Sequence, residues 1–533
     1  MRKNRAVAIL GTIMMVFLTG CGRQSIENQG QNSGNSEATV SGDRIEGTQI
    51  ELSDDGITVD STDVAVTEDR ITILDSGVYV LTGTWSNGGI VVDAGKKDEI
   101  ELVLDGVDII CSTYAAIQVL QADEVTIRLA EGSVNVLTDG ENYEITDKDD
   151  NTDAVIFSKD DLRFTGTGSL YINGNYRHGI VGKDYINIES GTYEIQAKED
   201  GINANDGITI DGGSVTISAG DDGIHADEIV TINAGEITIL ESYEGIEGHQ
   251  VIINDGIIDI TASDDGVNSN SGDSSESTDN QWNGGMGPGQ MMPDGQRPSD
   301  GMMMPEGEMP IEGVEIPARQ RPQDGEVPPN GMLMPEGEMP IEGVEMPEGQ
   351  RPQDGEVPPN GMMFPEGEEP KIGLPGEGGM PGGGMDTDED SLLQINGGSL
   401  IVNAGGDGLD SNGYLEITGG TILISGAASN ADGGIDYGIA GTITGGTVMV
   451  TDYRGMAEQF GSASQQYSLI YYPESRKAAG TQITLKDAQG NEILSWSPAK
   501  EYDRVLISTP ELEENESYIL EIGEEKIELT PQK

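Results

Sequence analysis

Basic residues, aromatics and cysteine are all scarce in this chain of 533 residues. Lysine and arginine together number 28 against 95 aspartates and glutamates, a formal net charge of -67. Such a field repels polyanions, which excludes a nucleic-acid binder built on basic patches. Aromatics make up 5% of the chain and phenylalanine occurs five times. A conventional helical or sandwich core, which leans on leucine and aromatics, is therefore excluded as well. The only cysteines are Cys21 and Cys111. With Cys21 assigned to lipidation below, one thiol is left and the fold has to hold without an intramolecular disulfide. The three histidines, His178, His225 and His249, lack zinc-ligand spacing with cysteine. There is no P-loop and no G-x-S-x-G elbow. What is abundant is glycine, 77 residues, and acid. That charge either keeps a disordered chain solvated or lines a cation-binding surface on an ordered scaffold.

The first twenty residues have the form of an export leader. Arg2, Lys3 and Arg5 precede an apolar stretch from Ala6 to Leu18, which is short for a membrane span. Leu18-Thr19-Gly20-Cys21 resembles the bacterial lipobox, in which the cysteine is acylated and becomes the mature N-terminus. Residues 21–48 are rich in Gly, Ser, Asn and Gln and form a flexible tether. The expected location is the extracellular face of the bacterial cell membrane, reached through a lipid anchor only.

The most informative feature is an internal repeat. Asp200-Gly201-Ile202-Asn203 recurs as Asp222-Gly223-Ile224-His225, Glu244-Gly245-Ile246-Glu247, Asp265-Gly266-Val267-Asn268 and Asp407-Gly408-Leu409-Asp410. The step is 22 residues between Gly201, Gly223 and Gly245, and 21 to Gly266. Within each repeat apolar residues alternate at period 2, as in Ile208/Ile210 and Val215/Ile217, which is the pattern of short strands. Corners such as Gly212-Gly213 and Gly419-Gly420 supply the φ > 0 geometry of tight turns. Three short strands per repeat at a fixed period predict an all-β parallel β-helix. Equivalent residues then stack at roughly 4.8 Å, with Ile202 over Ile180 and under Ile224. Nine or ten coils are expected.

The predicted layout is an N-terminal cap and coils over 49–270, a disordered Met/Pro/Gly/Glu-rich insert over 271–390, further coils over 391–455 and a small β cap over 456–533. The insert carries its own repeat, Met304-Pro305-Glu306-Gly307 returning at Met334. Prolines and glycines argue against order there. In the last segment Ile483–Leu485, Ile493–Leu494, Val505–Ile507 and Tyr518–Leu520 are expected to form an antiparallel meander.

The repeat places acids at one corner of every coil. A first column runs Asp200, Asp222, Glu244, Asp265 and Asp407. A second runs Asn203, His225, Glu247, Asn268 and Asp410. Asp221 and Asp264 precede the first column. Like charges on neighbouring strands destabilise each other. Calcium, which accepts six to eight carboxylate, amide and carbonyl oxygens, would relieve them. The competing explanation is that Asp-Gly is good turn chemistry and the acids are screened by solvent or hydrogen-bonded to one another.

The lipobox, the D-G-[IVL]-[NHED] corner, the glycine-pair turns and the low-complexity insert together resemble a bacterial carbohydrate-binding domain-containing β-helix family typified by a clostridial polygalacturonate-binding protein. The resemblance spans about residues 65 to 455. It implies a right-handed parallel β-helix with bound calcium that binds acidic or cellulose-like polysaccharide as a binder rather than an enzyme. Two alternatives stand beside that expectation. A calcium-dependent lyase would need a base near the calcium, and only Arg177, Lys183 and Lys198 are near. A structural adhesin would bind a protein partner through its caps or insert. The binder is favoured, as a monomer.

Overall fold

The computed structural model describes residues 45–144, 151–270 and 387–533. The leader, Cys21, and most of the tether and insert lie outside them. Among the described residues there is no helix. Stacked parallel strands form a β-solenoid of about 11 turns, slightly more than the nine or ten expected.

Register follows the repeat. Ile180, Ile202 and Ile224 are paired in successive turns, and Ile246, Val267 and Leu409 continue the row. All six side chains are fully buried. A second row runs Ile186, Ile208, Val230, Val251, Leu393 and Leu415, and a third runs Val215, Ile237, Ile258, Leu400 and Ile422. Alternation puts these β-branched and leucine side chains inside and leaves polar residues out, so the core is aliphatic and needs few aromatics. Some turns depart from three separate strands: Gly77–Trp85, Glu99–Cys111, Ile224–Ile232 and Ile246–Ile253 each run through a corner as one strand.

The solenoid keeps its register across the insert. Gln250–Ile253 pairs in parallel with Leu392–Ile395, and Val267–Ser269 with Leu409–Ser411. Side chains cross the same boundary. Ser391 Oγ donates to the Ser269 carbonyl at 2.6 Å. At an outer corner Asn254 Nδ2 donates to Asn233 Oδ1 at 2.8 Å, and Asn396 Nδ2 to Asn254 Oδ1 at 2.9 Å. Asn254→Ala removes both of these bonds. It is expected to lower stability by about 1–2 kcal/mol, read as a lower denaturant midpoint at unchanged slope.

Both ends are closed. Thr48–Leu52 pairs in parallel with Gly77–Trp85, and Arg70–Ile73 with Gly89–Asp93, so these strands belong to the stack. Short antiparallel strands, Thr58–Val59 and Val64–Val66, cover Thr48–Leu52 and Arg70–Ile73. At the other end Arg504–Ser508 pairs antiparallel with Thr447–Asp452 and with Ser468–Tyr471. A buried ion pair, Arg504 Nη1 to Asp452 Oδ2 at 2.7 Å, holds that junction. The expected meander is therefore corrected in one member. Val505–Ile507 closes the solenoid edge, which would otherwise offer unpaired backbone groups. Ile483–Lys486, Glu492–Trp496, Tyr518–Ile522 and Glu525–Leu529 form a separate antiparallel sheet.

Candidate functional site

The Asp-Gly corner is built on glycine for a steric reason. The glycines of this column, Gly201, Gly223, Gly245, Gly266 and Gly408, do not adopt positive φ. A Cβ on Gly201 would sit 2.6 Å from the Gly223 carbonyl oxygen and 2.5 Å from Ile217 Cγ2. The next four repeat this clash with their own neighbours. Positive φ belongs instead to the glycine-pair corners, for example Gly213 at 86° and Gly420 at 86°. The close packing at the Asp-Gly corner holds the preceding acid in line with its equivalents above and below.

The first column is a hydrogen-bonded ladder. Asp200 N–H donates to His178 Nδ1 at 3.1 Å, Asp222 N–H to Asp200 Oδ1 at 3.1 Å, and Glu244 N–H to Asp222 Oδ1 at 3.3 Å. Farther along, Asp407 N–H donates to Asp265 Oδ1 at 2.6 Å and Gly433 N–H donates to Asp407 Oδ1. One oxygen of each of these aspartates thus anchors the next turn. This is the mutual capping that the competing explanation anticipated, and it leaves the other oxygen to face the second column.

The two halves of the corner differ in how those other oxygens are met. In the first half Asn203 Nδ2 donates to Asp200 Oδ2 at 2.6 Å. His225 Nδ1 lies 3.1 Å from Asp222 Oδ2 and 2.7 Å from Glu247 Oε2. Burial disfavours a charged imidazole at His225, yet its contacts with Asp222, Asp227 and Glu247 outweigh that and raise its pKa strongly. His178 Nδ1 lies 3.2 Å from Asp200 Oδ2. Burial opposes ionisation of Asp200, but His178 and Asn203 hold its carboxyl below the usual range.

Among the described residues no histidine faces the acids of the second half. Asp407, Asp410 and Asp436 each present a ligand oxygen within 4.8 Å of the others. Burial, then the Asp410 and Asp264 charges, push Asp265 up to about 8. Burial and the Asp265 and Asp410 charges push Asp407 to about 9. Burial and Asp436 push Asp410 to about 7. Glu458 joins them from beyond the repeat, pushed to about 7 by burial and Asp436 against the opposing Arg504 charge. Asn268 stacks between Glu247 and Asp410 and is 5% exposed. Its Nδ2 donates to Glu244 Oε2, and its Oδ1 is buried with no hydrogen-bond partner. Gly406 leaves room here, since a Cβ would lie 2.4 Å from both Asp264 Oδ1 and Asp265 Oδ1. Crowded carboxylates beside an orphaned amide oxygen fit a hard, oxygen-seeking cation.

Of the acids singled out in the sequence, Asp200, Asp221 and Asp222 form one close group and Asp407 and Asp410 fall in another. Asp222 and Glu247 share His225. Asp436 and Glu458 were not among them. Asp436 was legible, because Gly434-Ile435-Asp436 is a last copy of the motif and Ile435 bridges to Leu409. Glu458 carries no repeat signal. Of the basic residues, Arg177 is engaged by Glu199 and Asp153, and Lys183 lies over the Phe157 ring.

Residues 67–286 match the family described as carbohydrate-binding domain-containing protein. A protein of that description from Acetivibrio thermocellus is 36% identical over 196 residues, which are 36% of this chain and 64% of the relative. A solved structure, described as the polysaccharide lyase-like protein from C. thermocellum in a gadolinium derivative, is 33% identical. It aligns over 41% of this chain and 93% of its own, with a TM-score of 0.39. The family match takes in Asp200 to Asn268 and stops before Asp407, Asp410 and Asp436. The end of the corner that holds Asp265, Asn268, Asp407, Asp410 and Asp436 therefore draws on residues from both sides of the matched boundary.

Proposed function

We propose that this protein binds polysaccharide at the cell surface with calcium held on the acidic corner. The polysaccharide part is supported by the description of the matching family. The calcium part is carried by one observation: Asp407, Asp410 and Asp436 crowd together, with Asp265 one turn away, beside the orphaned Asn268 Oδ1. Asp264, Asp265, Asn268, Asp407, Asp410 and Asp436 are the residues that would hold the ion. Bound there, it would supply positive charge and open coordination positions to the carboxylates of an acidic, uronate-containing glycan such as polygalacturonate. That is how an acidic protein holds an acidic chain. Attachment through a lipid on Cys21 and action as a monomer complete the proposal.

The test is retention on insoluble polygalacturonate after metal stripping. Calcium is expected to restore retention and chelator to abolish it. The double change Asp407→Asn and Asp410→Asn is expected to weaken calcium binding by at least about ten-fold, roughly 1.4 kcal/mol. Retention that is equal in chelator and in calcium would sink the calcium-bridged reading. A steady release of unsaturated, ultraviolet-absorbing product would replace binding with lyase chemistry.

A further inference from the structure

We infer that the outer face of one sheet, between Tyr185 and Tyr414, is a second glycan-binding surface that takes an uncharged pyranose polysaccharide without calcium. The inference rests on the polysaccharide part of the reading above and not on its calcium part. The strands that make this face follow the Asp-Gly corner in successive turns. Register stacks Tyr185, Gly207, Ile229, Gln250, Leu392 and Tyr414 in one outward row, and Asn187, Thr209, Thr231, Ile252, Gln394 and Glu416 in the next. In a chain with 95 acids those two rows hold a single carboxylate, Glu416. It accepts from Gln394 Nε2 at 2.9 Å. The sheet that follows in each turn is different, since Glu194, Glu236 and Asp259 are exposed on it.

The first row is an apolar strip. A Cβ on Gly207 would meet Ile229 Cγ2 at 2.9 Å and Tyr185 Cε1 at 3.2 Å, so the ring and the isoleucine close over the glycine from either side. Tyr185 is still 50% exposed. Leu392 and Tyr414 continue the strip and, with Gln250 and Glu416, line an open depression of about 280 Å³. The two tyrosines stand five rungs apart in the register, roughly 24 Å at about 4.8 Å per rung. A straight ligand several rings long is needed to meet both.

That pattern fits a pyranose chain without charge. One face of each ring is a sheet of C–H groups that packs on aromatic and aliphatic side chains, while the hydroxyls point outward. The second row supplies threonine hydroxyls and side-chain amides to meet them. Acids flank the strip. Asp161 accepts the Tyr185 N–H at 3.1 Å and Asp211 accepts from Asn187 Nδ2 at 3.3 Å. Asp227 and Glu228 precede Ile229, and Glu389 and Asp390 lie beside Tyr414. Carboxylates at a rim accept strongly from hydroxyls and repel a uronate ring. Among the described residues, the close groups of possible metal ligands lie at the Asp-Gly corner and not on this face. A cation to bridge a uronate is therefore wanting here, and the uncharged chain is the better match.

The experiment measures binding of an uncharged cellulose-derived hexamer to the full chain and its variants, in chelator and in calcium, beside retention on polygalacturonate. The hexamer is expected to bind equally in both. Tyr185→Ala is expected to weaken it about ten-fold, with the calcium titration and melting midpoint unchanged. Tyr185→Phe, which keeps the ring, is expected to bind like wild type, and Tyr414→Ala to bind more weakly. Tyr171→Ala removes a tyrosine that is 38% exposed on the neighbouring sheet and is expected to change nothing. Hexamer binding that survives both Tyr185→Ala and Tyr414→Ala, or falls equally with Tyr171→Ala, overturns the face. Binding lost in chelator moves the glycan to the acidic corner and overturns it too. Self-association that Tyr185→Ala abolishes, with no hexamer bound, gives the face to a second copy of the chain instead. A wild-type protein that holds polygalacturonate in calcium but no hexamer refutes this face and leaves the function proposed above in place. One that holds neither refutes both.

Discussion

Stripped of divalent metal, the folded protein is expected to lose stability as the pH rises from about 4 to about 9, and calcium is expected to reverse that slope. The sign follows from the carboxyls at the end of the corner. Asp410 is raised to about 7, Asp265 to about 8 and Asp407 to about 9. In the unfolded chain an aspartate titrates near 4. Between these values the folded state holds protons that the unfolded state has released. Stability from these groups is therefore fully present below the unfolded value and drains away as pH rises through the folded ones. Each group contributes at most about 1.4 kcal/mol per pH unit. Three together, even well below that limit, amount to a few kcal/mol across pH 5 to 7, a large part of a typical net stability of about 5–15 kcal/mol. Calcium binds the ionised carboxylates and displaces their protons, so its affinity rises with pH. At a hundred-fold excess over its dissociation constant it adds about 2.7 kcal/mol. Thermal melts at pH 5, 7 and 8.5, with chelator and with calcium, read both effects as shifts of several degrees. A chelated protein whose midpoint stays flat or climbs over that range would show that the acids are compensated already. The double change Asp407→Asn and Asp410→Asn is expected to flatten the chelator curve and to remove most of the gain from calcium.

Asp200 alone in the first column is held below the usual carboxylate range, while Asp222 and Glu244 are raised as Asp265 and Asp407 are, and this is why spacing alone was a partial guide. Asp200 and Asp407 occupy equivalent positions in the repeat, and the sequence treats them alike. Their ionisation differs because His178 and Asn203 face Asp200, whereas other carboxylates face Asp407. Those neighbours lie in the same turn or one turn away in the stack, so register makes them visible. Which oxygen anchors the next backbone N–H and which stays available depends on side-chain rotamers, and spacing carries no rotamer information. The aliphatic rows were legible for a simpler reason. Ile202, Ile224 and Ile246 recur at one step with strict alternation around them, and a one-residue slip would turn every one of them outward. Regularity is weaker where Glu99–Cys111 runs as one long strand. The early turns therefore left only faint copies of the motif, and the coil count fell short. The placement of Val505–Ile507 against Thr447–Asp452 is a long-range antiparallel pairing, which no local pattern encodes.

Replacing Gly266 by alanine is expected to damage the solenoid severely at the acidic corner. Its φ is not in the left-handed region, so the backbone itself would accept alanine. Space would not. The added Cβ would lie 2.2 Å from Val402 Cγ1 and 2.6 Å from the Gly408 carbonyl oxygen. The valine can in principle give way by repacking, at the usual overpacking cost of about 1–3 kcal/mol. The carbonyl cannot move alone, because it accepts the Val267 N–H at 3.2 Å as part of the pairing between turns. Relief requires the two turns to separate at the very place where Asp265, Asn268, Asp407 and Asp410 meet. The expected result is a loss of about 4 kcal/mol or more, seen as insoluble product or a collapse of the melting midpoint, with calcium binding lost alongside. Gly106→Ala is the contrasting case. Gly106 sits at φ 78° with nothing within 4 Å of the new methyl, so only the left-handed penalty of about 1–2 kcal/mol applies. Adding Val402→Ala to Gly266→Ala separates the two clashes. It removes the side-chain contact and leaves the carbonyl one, so recovery is expected to be partial. Full recovery would place the cost in core packing rather than in the approach of the two backbones. A Gly266→Ala protein that melts with wild type would mean that the turns can part at the Asp-Gly corner without loss, and the close stacking of the acids would then need another cause.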